Sequence, residues 1–509
     1  MAVRRDDIAA GRASIHISMA NVTTSALGVI LFVFLPRMLT QTELGVLGAV
    51  TLSYTALQYV AQLGLSRSAQ SLVSAATVEG ADAAGRVISG IMWLTSGSAI
   101  LLAIIAYLLA PTFSLLAIGN YDWAFAFRAG AVVVLANAVA SNFEGLLQGI
   151  RDFALLAESR VVGQIFRIAV ALILLFNGYG VIAVIAGLTL GQYGFVTIAI
   201  QFPVFLRRFR LVLPRLRELL AIVRYSLPLY GVTLLGVVTT YLDLFLLIAK
   251  GTTQQVGAYY VVINIAQAVS LMITQPFTGV VIPFMSKIEK EKGALEWAFK
   301  KATRYISFVI VPCVIGLASL SQALILILAG PKYLQVVLPV AVALFAYIPA
   351  AFAGLINSLL QARGKNTSIL LNTIAGVTME GVFGFFMIPL LGVIGAATCR
   401  LVLYLGWLGI GALQLKAIMT IRIDRRAFAQ AMVASCAFLI IPLADAFWRH
   451  PIITLLSFVV ATEVFLLTLK ALRALNSEDI EVLTGAVPVR LSFLVRNSFV
   501  SSLTDWLAS

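Results

Sequence analysis

Charge is what this sequence has least of. Only 11% of its 509 residues are Asp, Glu, Lys or Arg, while 61% are hydrophobic. Soluble domains carry about 25% charged residues, so one large water-soluble core is excluded. Cysteine and histidine are scarcer still. Cys313, Cys399 and Cys436 fall singly in apolar runs, and His16 and His450 stand far apart at span ends. Neither set has metal or disulfide spacing, and no metal site is expected. A phosphate-binding G-x-x-x-x-G-K-[ST] loop is missing, so the chain carries no ATPase of its own. The nearest fragment, RGKNTS at 363–368, lacks the first glycine. No small-residue cleavage site follows the first apolar run near Ile15, which therefore reads as a retained helix. The alternating strands of an outer-membrane barrel are also missing. No external connection exceeds roughly twenty residues, which leaves no room for an extracellular catalytic domain, and an enzyme is not expected.

What is present is a series of apolar runs long enough to span a bilayer. Fourteen helices are expected, over 15–35, 45–65, 87–109, 124–147, 161–176, 180–206, 225–249, 257–285, 302–328, 334–360, 368–389, 393–419, 428–448 and 451–470. With the N-terminus in the cytoplasm, the basic residues obey the positive-inside bias. Of 36 Lys and Arg, only Arg37, Lys250, Lys332 and Arg449 then fall outside, and Arg128, Arg167 and Arg400 within spans. The net charge of +14 is largely this bias and calls for no nucleic-acid partner. Both termini are expected in the cytoplasm and the chain in the cell membrane, in contact with its lipids. Two amphipathic stretches, 207–224 and 488–509, read as inner-surface segments.

Three pairs of segments match at nearly one offset. LPRMLTQTELGVLGA (35–49) matches IAKGTTQQVGAYYVV (248–262) with Gly45 set on Gly257. LLQGIRD (146–152) matches LLQARGK (359–365). GYGVIAVIAG (178–187) matches PLLGVIGAAT (389–398) with Gly180 on Gly392. A shared shift at three span boundaries marks an internal repeat. Each copy holds an even number of helices, so the copies are parallel, related by an axis along the membrane normal. The expected architecture is all-α and polytopic: lobe 1–206, linker 207–224, lobe 225–419, two added helices over 420–470 and a tail over 471–509. The major facilitator fold shares this plan, but its G-x-x-x-D-R-x-G-R-R loop is absent between helices 2 and 3.

These segments, with LLQARGKNTSILLNTIAG and IPLLGVIGAATCRLVL, resemble the polysaccharide-transporter family. That family comprises Wzx-type oligosaccharide flippases of the multidrug/oligosaccharidyl-lipid/polysaccharide exporter (MOP) superfamily, related to the lipid II flippases. The resemblance covers most of residues 15–420. It implies a MATE-like fold with two six-helix lobes around a central cavity. It also implies transport of polyprenyl-(pyro)phosphate-linked oligosaccharide to the outer leaflet by alternating access, beside glycosyltransferases or a polymerase of the same pathway. Two other readings compete: an organic-cation or multidrug antiporter of the superfamily, and a membrane glycosyltransferase or polymerase. Cationic cavity residues argue against the first, and short loops without paired carboxylates against the second.

Such a flippase needs cations for phosphate and amides or phenols for sugar. Arg37, Arg128, Arg167 and Arg400 are the candidate cations. Arg128, near Trp123 and Tyr121, could instead snorkel to the headgroups. Arg167 could pair with Glu144 or Glu158, and Arg37 could serve the hairpin itself. Asn21, Gln58, Gln62, Tyr241, Asn264 and Gln267 are candidates for a hydrated path, or for bridges between helices. No organic cofactor is expected. A Na+ or H+ gradient is the expected energy source, and Asp243, Glu380, Thr398 and Arg400 fall at similar depth if each helix rises uniformly. The lipid II flippases imply a sodium site at Asp243 and Thr398, completed by Asn372 or Glu380. Arg400, two residues beyond Thr398, could instead neutralise Asp243.

Overall fold

With no water in the hydrocarbon core, every backbone polar group of a spanning segment must be satisfied within the protein, which helices do most directly. A computed structural model describes residues 2–288, 294–417, 423–448 and 451–474, and every regular element among them is helical. The first half holds α1 (Ala2–Met38), α2 (Gln41–Ala61), α3 (Leu65–Glu79), α4 (Ala81–Leu108), α5 (Ala110–Ile118), α6 (Ala124–Gly149) and α7 (Phe153–Phe176). Then follow α8 (Gly180–Ala186), a wide-turn segment Gly187–Gln201, α9 (Phe202–Arg208), α10 (Leu216–Lys250) and α11 (Thr253–Ile288). The remainder comprises α12 (Ala294–Ser319), α13 (Ser321–Leu328), α14 (Val337–Phe345), α15 (Tyr347–Ala362), α16 (Asn366–Leu391), α17 (Val393–Lys416), α18 (Arg425–Ser435), α19 (Ile440–Trp448) and α20 (Pro451–Ala471). Thirteen helical stretches among the described residues are long and apolar enough to cross a membrane. Helix α11 lies over the expected eighth span but is not one of the thirteen, against an expectation of fourteen.

Boundaries differ from expectation where polar residues extend a helix. The second span, expected over 45–65, runs over Gln41–Glu79 with a break after Ala61. The expected surface segment 207–224 is divided: residues 209–215 are non-helical, and 216–224 form the first turns of α10, which continues unbroken through Pro228 to Lys250. The stretch 488–509, with His450 and Arg449, lies outside the described residues.

Contacts divide the chain into two units. The first holds residues 1–271, 328–336 and 380–399; the second holds 272–327, 337–379 and 400–509. In the first, Leu65, Val73, Ile88, Ile91, Phe143, Leu146 and Phe205 form a buried cluster joining α3, α4, α6 and α9. In the second, Phe299, Ile306, Ile310, Leu355, Leu359 and Leu415 do the same for α12, α15 and α17. There Arg304 ties α12 to the cap of α18, reaching Asp424 at 3.4 Å, and donates to the Ala474 carbonyl at 2.7 Å.

The repeat appears in the first unit as a local two-fold contact. Thr40 and Glu43 form a reciprocal capping box, the Glu43 carboxylate accepting from the Thr40 amide at 2.7 Å and the Thr40 hydroxyl from the Glu43 amide at 3.2 Å. The equivalent Thr252 and Gln255 do likewise, at 3.0 and 3.3 Å. Each box opens a helix by satisfying first-turn donors. The two helix starts then meet glycine to backbone. A methyl on Gly45 would lie 1.9 Å from the Thr253 carbonyl oxygen, and one on Gly257 would lie 2.0 Å from that of Gln41. These are the same contact made twice, as a two-fold axis requires.

Candidate functional site

The break between α2 and α3 builds a polar cleft. Leu63 and Gly64 adopt left-handed backbone angles, φ 50° and 71°, which turns the chain and frees carbonyls of the last α2 turn. The Ala61 carbonyl accepts from the Ser98 hydroxyl at 2.6 Å, and that of Val60 from Tyr230 at 3.4 Å. Gly64 must be glycine here, because a Cβ would stand 2.8 Å from the Tyr230 amide on α10. Irregular backbone at membrane depth is tolerated where protein or a polar cavity covers it, and here Ser98 and Tyr230 cover the carbonyls while a polar cleft opens beside them. Gln58, Tyr59 and Gln62 before the break line a cleft of about 280 Å³, with Ser66, Arg67 and Gln70 after it. Ser141, Glu144 and Gln148 of α6 and Arg160 of α7 complete the lining.

The cleft has an ordered polar wall. Ser141 donates to Asn137 at 3.2 Å, and Asn137 in turn donates to the Gln58 side-chain oxygen. Gln70 donates to Gln148 at 2.7 Å. Arg160 spans two acceptors, Glu144 at 2.7 Å and the Asn21 side chain at 2.9 Å. Two arginines against one carboxylate leave the cleft cationic. Of the residues marked in the sequence, Gln58, Gln62 and Asn21 come together here, and Glu144 is engaged by Arg160. Arg160 itself escaped notice because it reads as one more inner-side basic residue.

Arg167 occupies a second polar region of the same unit, half-buried on α7. Tyr54, Tyr193 and Tyr260 lie within electrostatic reach of its guanidinium, and Tyr241 is near Tyr54 and Tyr193. The wide-turn segment presses directly on α7 at this residue: added Cβ atoms on Gly187 and Gly191 would fall 2.7 and 2.6 Å from the Arg167 carbonyl and amide. Asn264 donates to the Tyr260 carbonyl at 2.7 Å, while Gln267, a turn later, is exposed.

Asp243 is fully buried on α10. Its carboxylate accepts from the Tyr259 hydroxyl at 2.5 Å and from the Leu244 amide at 2.8 Å. Tyr259, itself buried, also lies 3.1 Å from the Ala396 carbonyl on α17. Glu380 on α16 is fully buried too. Its neighbours Gly381 and Gly384 pack on Leu242 and Leu246, which flank Asp243, and on Cys399 beside Thr398. Thr398 bonds back to its own helix at Ile394, 2.8 Å. Asn372 belongs to the second unit and donates to Asn357 and the Trp407 carbonyl, each at 3.2 Å. Arg400 also lies in the second unit and is half-buried. No group of three or more His, Cys, Asp or Glu suited to a metal ion occurs among the described residues.

The other marked arginines sit at helix ends. Arg37 donates to the Val33 carbonyl at 2.7 Å and to that of Leu328, the last residue of α13, at 3.2 Å. Lys332 returns the contact at the Leu39 carbonyl, 2.6 Å. Both satisfy carbonyls that a helix terminus leaves without partners. Arg128 is exposed and lies over the Tyr107 ring at 5.5 Å.

Known proteins give this arrangement its context. The family described as "Polysaccharide biosynthesis protein" matches residues 34–338. The teichuronic acid biosynthesis protein TuaB of Bacillus subtilis (strain 168) is 23% identical over 325 residues, 63% of this chain and 64% of that protein. A membrane protein of the cps region in Klebsiella pneumoniae is 29% identical over 143 residues, 28% of this chain and 29% of its own length. The chain thus spans less than two thirds of the curated relatives it matches. Among solved structures, lipid II flippase MurJ in an inward closed conformation aligns with TM-score 0.76 at 13% identity, covering 89% of this chain and 98% of that one. An inward-facing multidrug-resistance MATE transporter of the MOP superfamily aligns at 0.54 and 14%, covering 81% and 98%. The chain has this MATE-like fold, and it belongs to the polysaccharide biosynthesis protein family.

Proposed function

We propose that this protein is a flippase that carries a polyprenyl-(pyro)phosphate-linked oligosaccharide from the cytoplasmic to the outer leaflet by alternating access. The observation that carries the reading is the cationic, amide-rich cleft built at the α2–α3 break, in a chain whose family is one of polysaccharide biosynthesis. A glycan crossing about 30 Å of hydrocarbon must exchange water for protein hydrogen bonds. Glutamines 58, 62, 70 and 148 offer donors and acceptors for sugar hydroxyls. The tyrosines around Arg167 offer phenols and ring faces, and the guanidinium offers a planar fork for phosphate oxygens. The basic-residue bias assigns the cleft end of these helices to the cytoplasm, where such a substrate would be made by glycosyltransferases of the same pathway. An organic-cation antiporter would instead present net negative charge to its cargo.

Asp243 suits an ion-coupling role, with the Tyr259 hydroxyl and the Ala396 carbonyl as further oxygens nearby. An all-oxygen set favours a hard cation such as Na+, and a buried carboxylate can equally carry a proton. The test is reconstitution in liposomes with a lipid-linked oligosaccharide. Accelerated appearance in the opposite leaflet, dependent on an ion gradient, is expected. No acceleration under any Na+ or H+ gradient refutes the reading.

A further inference from the structure

The geometry points to the α2–α3 cleft as a docking site for the diphosphate group of a lipid, held by Arg67 and Arg160, with Glu144 as an internal counter-anion that the diphosphate displaces. This rests on the flippase reading and specifies which residues first take the substrate's charged group.

The argument starts from Arg160. Its guanidinium is half-buried and holds Glu144 through one nitrogen and Asn21 through another. The side chains of the pair are 26% and 35% exposed, so the bond is solvent-screened and readily exchanged. A carboxylate and a phosphate each offer a pair of acceptor oxygens to the planar guanidinium fork, but a diphosphate carries more charge and more oxygens. Arg67 lines the same cleft from α3 and is exposed. It makes no ion pair among the described residues. One arginine is thus held in place by a weak internal anion while a second stands ready beside it. Two arginines from different helices match the two phosphoryl groups of a diphosphate.

The backbone contributes in the same sense. Helix α3 begins at Leu65, directly before the lining residues Ser66 and Arg67. The positive end of its dipole and its first-turn amides therefore add to the cationic field at the cleft. The glutamine pair Gln70–Gln148 and the chain Ser141–Asn137–Gln58 border the same space, which places sugar-binding groups next to the phosphate-binding ones.

The test measures binding of undecaprenyl diphosphate to the full-length protein in nanodiscs, with inorganic pyrophosphate and phosphatidylglycerol as competitors. Arg67→Ala and Arg160→Ala are each expected to weaken binding by about tenfold or more, the loss of a charge-assisted hydrogen-bond pair. Arg67→Lys keeps the charge without the fork and should recover part of the loss. Glu144→Gln is expected to tighten binding several-fold, because it removes the competing anion. A merely structural ion pair would not give that sign. Unchanged affinity in the arginine variants, or weaker binding in Glu144→Gln, overturns the proposal. So does phosphatidylglycerol competing as strongly as undecaprenyl diphosphate, which would make the cleft a general phospholipid contact. Displacement by inorganic pyrophosphate supports the diphosphate as the recognised group. The leaflet assay on the same preparations separates the two readings. Binding that follows these signs without flipping retains the site and refutes the flippase; flipping that is indifferent to Arg67 does the reverse.

Discussion

The glycine-to-backbone contact between the two repeat halves is the sharpest place to perturb this molecule. In Gly45→Ala the new methyl would sit 1.9 Å from the Thr253 carbonyl oxygen, and in Gly257→Ala 2.0 Å from that of Gln41. Ordinary contact begins near 3.4 Å, so one helix start must retreat from the other by about 1.5 Å. Nothing flexible can absorb this, because the opposing atom is backbone within a capped helix terminus. Overpacking of this kind costs about 1–3 kcal/mol, against which alanine returns up to about 1 kcal/mol of helix propensity. Each single variant should therefore lose stability, and by similar amounts because the contact is the same one made twice. The double variant should lose less than the sum, because the separation forced by the first methyl makes room for the second. A coupling of about 1 kcal/mol is the expected size for residues sharing one contact. Gly97→Ala, where an added Cβ meets nothing within 4 Å, should be neutral or slightly stabilising. Unfolding of the detergent-solubilised protein, followed by tryptophan fluorescence, measures all four. If Gly45→Ala is as stable as Gly97→Ala, or if the two effects simply add, the two-fold contact does not bear on stability as argued.

Other outcomes follow from single residues. Gly64→Ala combines a left-handed backbone angle with a Cβ 2.8 Å from the Tyr230 amide. It should cost more than about 1 kcal/mol, whereas Gly119→Ala, also left-handed but with open space around it, should cost less in the same unfolding assay. Tyr259→Phe removes a donor from the buried Asp243 carboxylate and should destabilise by about 1–3 kcal/mol. Pairing it with Asp243→Asn in a double-mutant cycle should show most of that loss to be shared, and full additivity would argue against the bond. Asp243→Asn should also abolish the ion-gradient dependence of flipping in proteoliposomes, and transport that retains it would remove Asp243 from coupling. Thr40→Ala should lower the melting temperature through loss of a helix cap worth about 1 kcal/mol, and an unaltered melting curve would show that the cap is dispensable.

How much of this could be read from residues alone depends on what each signal measures. The repeat was legible because a T-x-x-E/Q cap and a glycine recur at one offset, and those motifs have local physical meanings that survive drift elsewhere. The structure adds that both glycines are needed by the contact between the copies, a fact no single copy reveals. Tyr259 was within reach by hairpin geometry and went unmarked. It stands eight residues past Gly251, and Asp243 stands eight before it, so two antiparallel helices of equal rise bring them to one depth. Its aromatic ring in an apolar run disguised the hydroxyl that the carboxylate needs. Arg160 was hidden for a different reason. Positive-inside bias supplies many basic residues at the same helix ends, so composition cannot separate a topogenic arginine from a ligand. What separates them is the break after Ala61. It has no proline to announce it, and it shows in sequence only as Gly64 followed by serine, arginine and glutamine where lipid-facing residues should continue. The charged group of a membrane-crossing substrate needs backbone irregularity, amides and cations at one depth. This chain concentrates all three where one long span is interrupted, and the interruption is a better guide to the site than any of its charges alone.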